Sequence, residues 1–245
     1  MSRQAAVMPI RCRMSLALMA LAAVLFSGQA PAHAQTEVDL KLALMVDASG
    51  SVDRYRFELQ KRGYVAALRN PRVLAAVMGG RTQSIAISMV QWTGPFLQAV
   101  VLPWTVIKDE ASISGAASVI ESTPRQLFGG GTSISGAIDY AMAMFPQAPF
   151  KAERQVIDIS GDGSNNGGRS VIRARDEAVA KDVTINGLPI LAVEPYLDQY
   201  YRDYVIGGPG AFMIVAKDFE SFGDAILKKM IVEIAANDTA RKRVN

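Results

Sequence analysis

The apolar residues of this chain come in short unbroken blocks rich in Val and Ile, set apart by stretches with helical spacing, and that alternation admits few folds. Strands buried on both faces read as continuous apolar runs, and parallel neighbours must be joined by crossovers, usually helices. The blocks predict strands over residues 40–46, 84–91, 98–106, 155–160, 189–193 and 211–215. Only "WTGPFL" separates the second from the third, too little for a crossover, so that pair is expected to be an antiparallel hairpin at a sheet edge. Helical spacing predicts helices over 54–68, 111–121, 133–144, 169–180 and 219–235, the first interrupted by Asn70-Pro71. The expected fold is α/β and doubly wound: a mostly parallel central sheet, one antiparallel edge strand, and helices on both faces.

Residues 1–34 are expected to stand outside that domain. Arg3, Arg11 and Arg13 precede the apolar run "MSLALMALAAVLF", and Ala32-His33-Ala34 offers a small-residue cleavage site before Gln35, the pattern of an export signal. The run is short for a membrane span, which needs about 20 apolar residues, so no stable span is expected after cleavage and the location is periplasmic or secreted. Residues 35–245 then form a single domain. Cys12 and His33, the chain's only cysteine and histidine, leave with the signal. That removes Cys/His and Ser/His/Asp catalysis and every metal site built on imidazole or thiolate. The signal's three arginines also account for the net charge of +3. The basic isoelectric point is therefore no sign of a nucleic-acid partner.

The first predicted strand runs into "MVDASGSVD", which sets Asp47, Ser49 and Ser51 at alternate positions of a loop at the strand's carboxyl end. Open α/β sheets bind ligands at that end. Two further stretches share its character. Thr132 lies in "GGGTSISGAI", a glycine-rich turn opening a helix, where Gly129, Gly130 and Gly131 permit close approach; Asp162 lies in "VIDISGDGSNNGG", just past another strand. Together Asp47, Ser49, Ser51, Thr132 and Asp162 resemble the metal-ion-dependent adhesion site of von Willebrand factor type A domains. In that family D-x-S-x-S, a loop Thr and a later Asp converge on one divalent cation. The resemblance spans residues 37–236, and "QWTG", "SGDGSNN", "INGLPI" and "GGPGAF" are similar to a bacterial subfamily of exported domains of this type.

The resemblance implies a protein-binding module and not an enzyme. Two carboxylates balance a 2+ ion, and three hydroxyls add dipoles without charge. Such hard oxygen donors in a near-octahedral shell favour Mg²⁺ or Mn²⁺ over Ca²⁺, which usually recruits more ligands. Water must fill the remaining coordination, and a partner's Asp, Glu or other anionic oxygen can replace it. Two other readings stand beside this one: a metal-dependent hydrolase of phosphate or other esters, which lacks an obvious base, and a metal-indifferent scaffold. In the plainest version of the latter, Ser49, Ser51 and Thr132 cap helices while Asp47 and Asp162 satisfy loop amides.

Several motifs fail on inspection. "DGSNNG" begins like an EF-hand loop, but its twelfth position is Arg173 where a bidentate Glu is required. "GDGSNN" lacks the last glycine of a dinucleotide fingerprint. Asp158, inside an apolar strand, needs a buried partner, which the Asn165-Asn166 loop is expected to supply. Tyr196, Tyr200 and Tyr204 share a helical face and are expected to pack on the sheet, while Trp92 is placed equally well lining the ligand face or filling the core.

Overall fold

The computed structural model describes residues 35–241; the expected export signal lies outside the described residues. Five strands form one sheet: β1 (Thr36–Asp47), β2 (Ile85–Trp92), β3 (Gln98–Ile107), β4 (Phe150–Gly161) and β5 (Val183–Pro189). Their spatial order is β3-β2-β1-β4-β5. β1 pairs in parallel with both β2 and β4, β4 pairs in parallel with β5, and β3 runs antiparallel at the edge, as the short 93–97 connection requires. The chain moves outward from β1 to β2 and β3, then returns across β1 to β4 and β5. The carboxyl end of β1 is therefore the point where the winding reverses, the place such sheets hold ligands.

Period-2 alternation divides the core. Leu40, Leu42, Leu44 and Val46 of β1 face one layer with α1 (Arg54–Arg69), α3 (Glu110–Ser122) and α7 (Phe222–Arg241), while Ala43 and Met45 face the other with α4 (Ile134–Met144), α5 (Val171–Val179) and the short α6 (Leu197–Tyr200). Each wholly buried leucine contributes about 2 kcal/mol of hydrophobic stabilisation. Among the described residues no helix is long and apolar enough to cross a membrane.

Three segments depart from the sequence reading. Asn70-Pro71 ends α1 as expected and also starts α2 (Pro71–Met78): the Asn70 side chain accepts from Arg72 N at 3.0 Å, and Pro71 occupies the first turn, where a missing N–H costs nothing. The fifth strand is 183–189 and not 189–193, because Thr184, Asn186 and Gly187 break the apolar run without breaking the pairing. Residues 211–215 do not form a continuous strand. They meet β5 through isolated bridges, Met213 with Gly187 and Ala216 with Ile190, in a stretch where Gly208 and Gly210 hold positive φ.

Candidate metal centre

β1 and β4 end side by side, Val46 beside Ser160, so Asp47 and Asp162 leave neighbouring strands at one edge. Gln60 of α1, itself buried, fixes the end of β1 by donating to the Asp47 carbonyl at 3.1 Å. Beyond it the loop folds onto its own carboxylate: Ser49 N donates to Asp47 Oδ1 at 2.7 Å. Ser51 Oγ donates to Asp162 Oδ1 at 2.5 Å, and with that proton committed Ser49 Oγ is the donor in the 3.1 Å bond between the two serines. Asp162 N approaches Asp47 Oδ2 at 3.4 Å. Four of the five residues singled out in the sequence are thus joined in one chain of hydrogen bonds.

Thr132, also buried, is held alongside. Its N–H donates to Asn166 Oδ1 at 2.8 Å and its carbonyl accepts from Asn166 N at 2.8 Å, a two-bond clasp between the glycine-rich loop and the loop that carries Asp162. Its Oγ1 lies 3.5 Å from where a Cβ on Gly163 would stand. The loop reaches this position through Gly129 at φ 70° and Gly130 at φ 89°, conformations that side chains resist.

The capping roles that would make these hydroxyls structural are filled by other residues. Asp53 caps α1 by accepting from Arg56 N, and Ser133 caps α4 by accepting from Gly136 N. Ser49 and Ser51 are left to bond the carboxylates, and Thr132 is held alongside by Asn166.

The electrostatics are unfavourable to the bare site. Asp47 and Asp162 are both inaccessible to solvent. Burial, and then the neighbouring Asp162, push the Asp47 carboxyl up to about 7 despite the Ser49 bonds. Burial also raises Asp162, partly opposed by Ser51 and Arg56. Asp162 Oδ2 receives no hydrogen bond among the described residues, and the Arg56 guanidinium stands off at 3.7 Å. A buried carboxylate pair with one oxygen unsatisfied, ringed by hydroxyls, fits a small divalent cation. Asp47, Ser49, Ser51, Thr132 and Asp162 would hold it, and the ion would supply a Lewis-acidic position for an anionic oxygen.

Arg125 and Tyr201 are two supporting residues missed in the sequence reading. Arg125 donates to the carbonyls of Ala48, Ser49, Val52 and Leu127 at 2.6–3.1 Å, tying the D-x-S-x-S loop to the segment before the glycine-rich turn, with Phe57 and Phe128 at 5.5 and 5.3 Å from its guanidinium. A lone arginine in "TPRQLF" gives no sequence signal of such a role. Tyr201 corrects the expected tyrosine face. It is fully buried, whereas Tyr196 is 74% exposed and Tyr204 42%. Its hydroxyl, Asp47 Oδ2 and the Trp92 ring all crowd Gly161, where an added Cβ would meet them at 3.1, 2.9 and 3.3 Å. Trp92 is buried in the core beneath the site. The expected partner of Asp158 is also corrected: it is not the Asn165-Asn166 loop but Lys229 of α7, at 2.7 Å.

Comparison with known proteins identifies the fold. No curated protein matches the sequence. Solved structures do: a von Willebrand factor type A protein from Catenulispora acidiphila (16% identity, TM-score 0.57, covering 81% of this chain and 43% of that one); proximal thread matrix protein 1 from the mussel byssus with a zinc-occupied MIDAS motif, the adhesion-site motif described above (14%, 0.57, 82% and 47%); and the VWA domain of SpRpn10 (14%, 0.54, 77% and 94%). The chain spans less than half the length of the first two. At these identities what is shared is the fold, which is that of von Willebrand factor type A domains. A family profile matches residues 37–238, from β1 into α7, and the chain accordingly belongs to the family described as Protein of unknown function (DUF1194).

Proposed function

We propose that the protein is an exported, non-enzymatic binding module that captures an acidic group of a protein partner through a divalent cation, Mg²⁺ or Mn²⁺, held by Asp47, Ser49, Ser51, Thr132 and Asp162. The observation that carries this reading is the hydrogen-bonded convergence of two buried carboxylates and two serine hydroxyls on one sheet edge, with an Asp162 oxygen left unsatisfied. The bound cation would supply the attraction for the partner's oxygen; the chain's residues would hold it and leave to water the coordination positions that this oxygen can take. Export is supported by the basic and apolar pattern of residues 1–34. The zinc-occupied motif of the mussel protein and a pilus adhesin, SpaC from Lactobacillus rhamnosus GG (14% identity, TM-score 0.56), are relatives in fold for which metal holding or adhesion is named. The non-enzymatic reading is supported by the absence of imidazole and thiol from residues 35–245 and by the engagement of Glu194, whose Oε1 accepts from Ser164 N and Oγ.

The test is a thermal melt of the metal-stripped protein titrated with Mg²⁺, Mn²⁺ and Ca²⁺, with Asp47→Ala and Asp162→Ala in parallel. A cation at about 100 times its dissociation constant stabilises the native state by about 2.7 kcal/mol. A shift in the wild type that both variants lack supports the proposal; no shift with any cation refutes it.

A further inference from the structure

The rim of this pocket carries apolar side chains that nothing in the described fold covers. Phe96 is 94% exposed and Phe128 77%, alongside Tyr196, and Leu97 and Val193 are about half exposed. Phe96 and Leu97 follow β2, and Val193 and Tyr196 follow β5, at the edge where Asp47 and Asp162 stand, while Phe128 lies in the connection between α3 and α4. On one flank the 93–97 turn leans on the glycine-rich loop. Ser133 N donates to the Thr93 carbonyl at 2.8 Å, and Leu97 Cδ1 lies 3.6 Å from where a Cβ on Gly130 would project. Phe128 begins that same loop and is braced by the Arg125 guanidinium. On the other flank, Glu194 takes the two Ser164 bonds and stands beside Gly163, next to Thr132 Oγ1, which brings Val193 and Tyr196 to the far side of the carboxylates.

Scattered exposed apolar residues need no explanation, but several around one charged pocket mark an interaction surface. Resting on the metal-dependent reading above, we infer that the partner is a protein segment whose Asp or Glu is flanked by bulky apolar side chains. The carboxylate completes the cation's coordination, while the flanking side chains cover Phe96, Leu97 and Phe128 on one side and Val193 and Tyr196 on the other. The cation fixes the acidic residue, and the uncharged, aromatic rim selects its neighbours.

The test uses immobilised heptapeptides with a central Asp or Glu flanked either by Leu and Phe or by Ser, probed with the full protein in Mg²⁺ and in EDTA. Capture is expected only in Mg²⁺ and at least about tenfold tighter for the apolar-flanked set. Phe96→Ser and Phe128→Ser are each expected to remove about tenfold, which is 1.4 kcal/mol of buried aromatic contact, with the Mg²⁺ melting shift of Phe96→Ser unchanged. A protein that responds to Mg²⁺ yet captures no peptide, or captures both sets equally, overturns the inference and leaves the metal reading standing. So does a flank preference that the two Phe variants do not alter. Mg²⁺-dependent binding to phosphatidylglycerol vesicles that the Phe variants abolish assigns the rim to lipid and also overturns it. Loss of the melting shift itself in the wild type is the separate failure of the metal reading.

Discussion

Glu233 should make the protein measurably less stable as pH rises from about 4.5 to 7. Lys229 Nζ lies 2.5 Å from Glu233 Oε1 and 2.7 Å from Asp158 Oδ1, and all three residues are completely buried. Asn186 Nδ2 also donates to Glu233 Oε1, at 2.8 Å. One ammonium thus faces two carboxylates. Burial, and then Asp158, push Glu233 up to about 7 from an ordinary 4.5, with Lys229 and Asn186 opposing. Between those two values the native state keeps a proton that the unfolded chain has lost, so stability falls as pH rises through the window. At about 1.4 kcal/mol per pH unit the fall attributable to Glu233 is about 3 kcal/mol. Glu233→Gln keeps an oxygen for Lys229 and Asn186 and cannot ionise. Urea melts of both proteins at pH 5 and pH 8 report on the buried cluster of Glu233, Asp158 and Lys229, because every titrating group outside it is common to both. The stability difference between wild type and variant should move by about 3 kcal/mol across that range, in the variant's favour at pH 8. A difference independent of pH would falsify the assignment of the excess charge to Glu233. Lys229→Met, which leaves both carboxylates without a cation, is expected to cost about 3–5 kcal/mol at pH 8.

Metal-free Asp47→Asn should lack the loss of about 4 kcal/mol that the wild type suffers as pH rises from 3.8 to about 7; in EDTA at pH 8 its melting temperature should exceed the wild type's, and in saturating Mg²⁺ the order should reverse. Asn166→Ala removes the side-chain half of the clasp on Thr132 and should weaken Mg²⁺ affinity about tenfold or more, read from the titrated melting shift, with smaller effects counting against Thr132 as a ligand. Gly161→Ala drives a methyl toward Asp47 Oδ2, the Tyr201 hydroxyl and Trp92 and should cost about 1–3 kcal/mol in a urea melt, together with most of the Mg²⁺ response. Arg125→Lys cannot span the four carbonyls that the guanidinium fork reaches, and a loss of about 2 kcal/mol is expected by the same assay.

What was legible in the sequence was whatever local pattern determines. β1 and β2 stand out because a strand buried on both faces must be a run of apolar residues, and the hairpin to β3 follows from a connection too short to cross over. The second shift, to 183–189, was hidden because β5 carries its own polar contacts: Asn186 faces α7 to meet Glu233 and accepts from Phe212 N at 3.0 Å, so the strand looks polar where it is most tightly tied. Asp47, Ser49 and Ser51 were legible because the D-x-S-x-S spacing is local, and Thr132 and Asp162 because each sits in its own glycine-rich loop. The residues that hold those loops were not, because Arg125 and Asn166 act between loops far apart in the chain. Asp158 is legible as needing a partner, but a lysine 71 positions later, on a helix whose buried face carries both Lys229 and Glu233, offers no clue to the pairing.

Asp158 and Asp162 present one physical problem at two points along the same segment of chain, and the two answers define what the edge of the sheet is for. Both carboxylates are fully buried, a state that costs several kcal/mol per ion unless a counter-charge is close. At Asp158 the counter-charge is permanent: Lys229 is covalently part of the chain, packed at 2.7 Å, and its contact anchors α7 to β4. Between the two lies Ser160, whose hydroxyl reaches Tyr64 at 3.2 Å and the Met45 carbonyl at 3.3 Å, so the strand stays rigid up to its last residues. At Asp162 the ion pair found among the described residues, with Arg56, is looser than that of Lys229. Arg56 donates instead to the Ser51 carbonyl at 2.8 Å and leaves 3.7 Å to the carboxylate, while Asp47 adds a second negative charge that makes the arrangement worse. On the proposed reading, a cation from solution takes at the second pair the part that Lys229 takes at Asp158. Such a cation is exchangeable and keeps coordination positions for a partner, which a packed ammonium does not. The cost of the bare carboxylates and the capacity to bind are then one property, and Asp47→Asn separates them: the variant should gain stability without metal in the same measure that it loses its response to Mg²⁺.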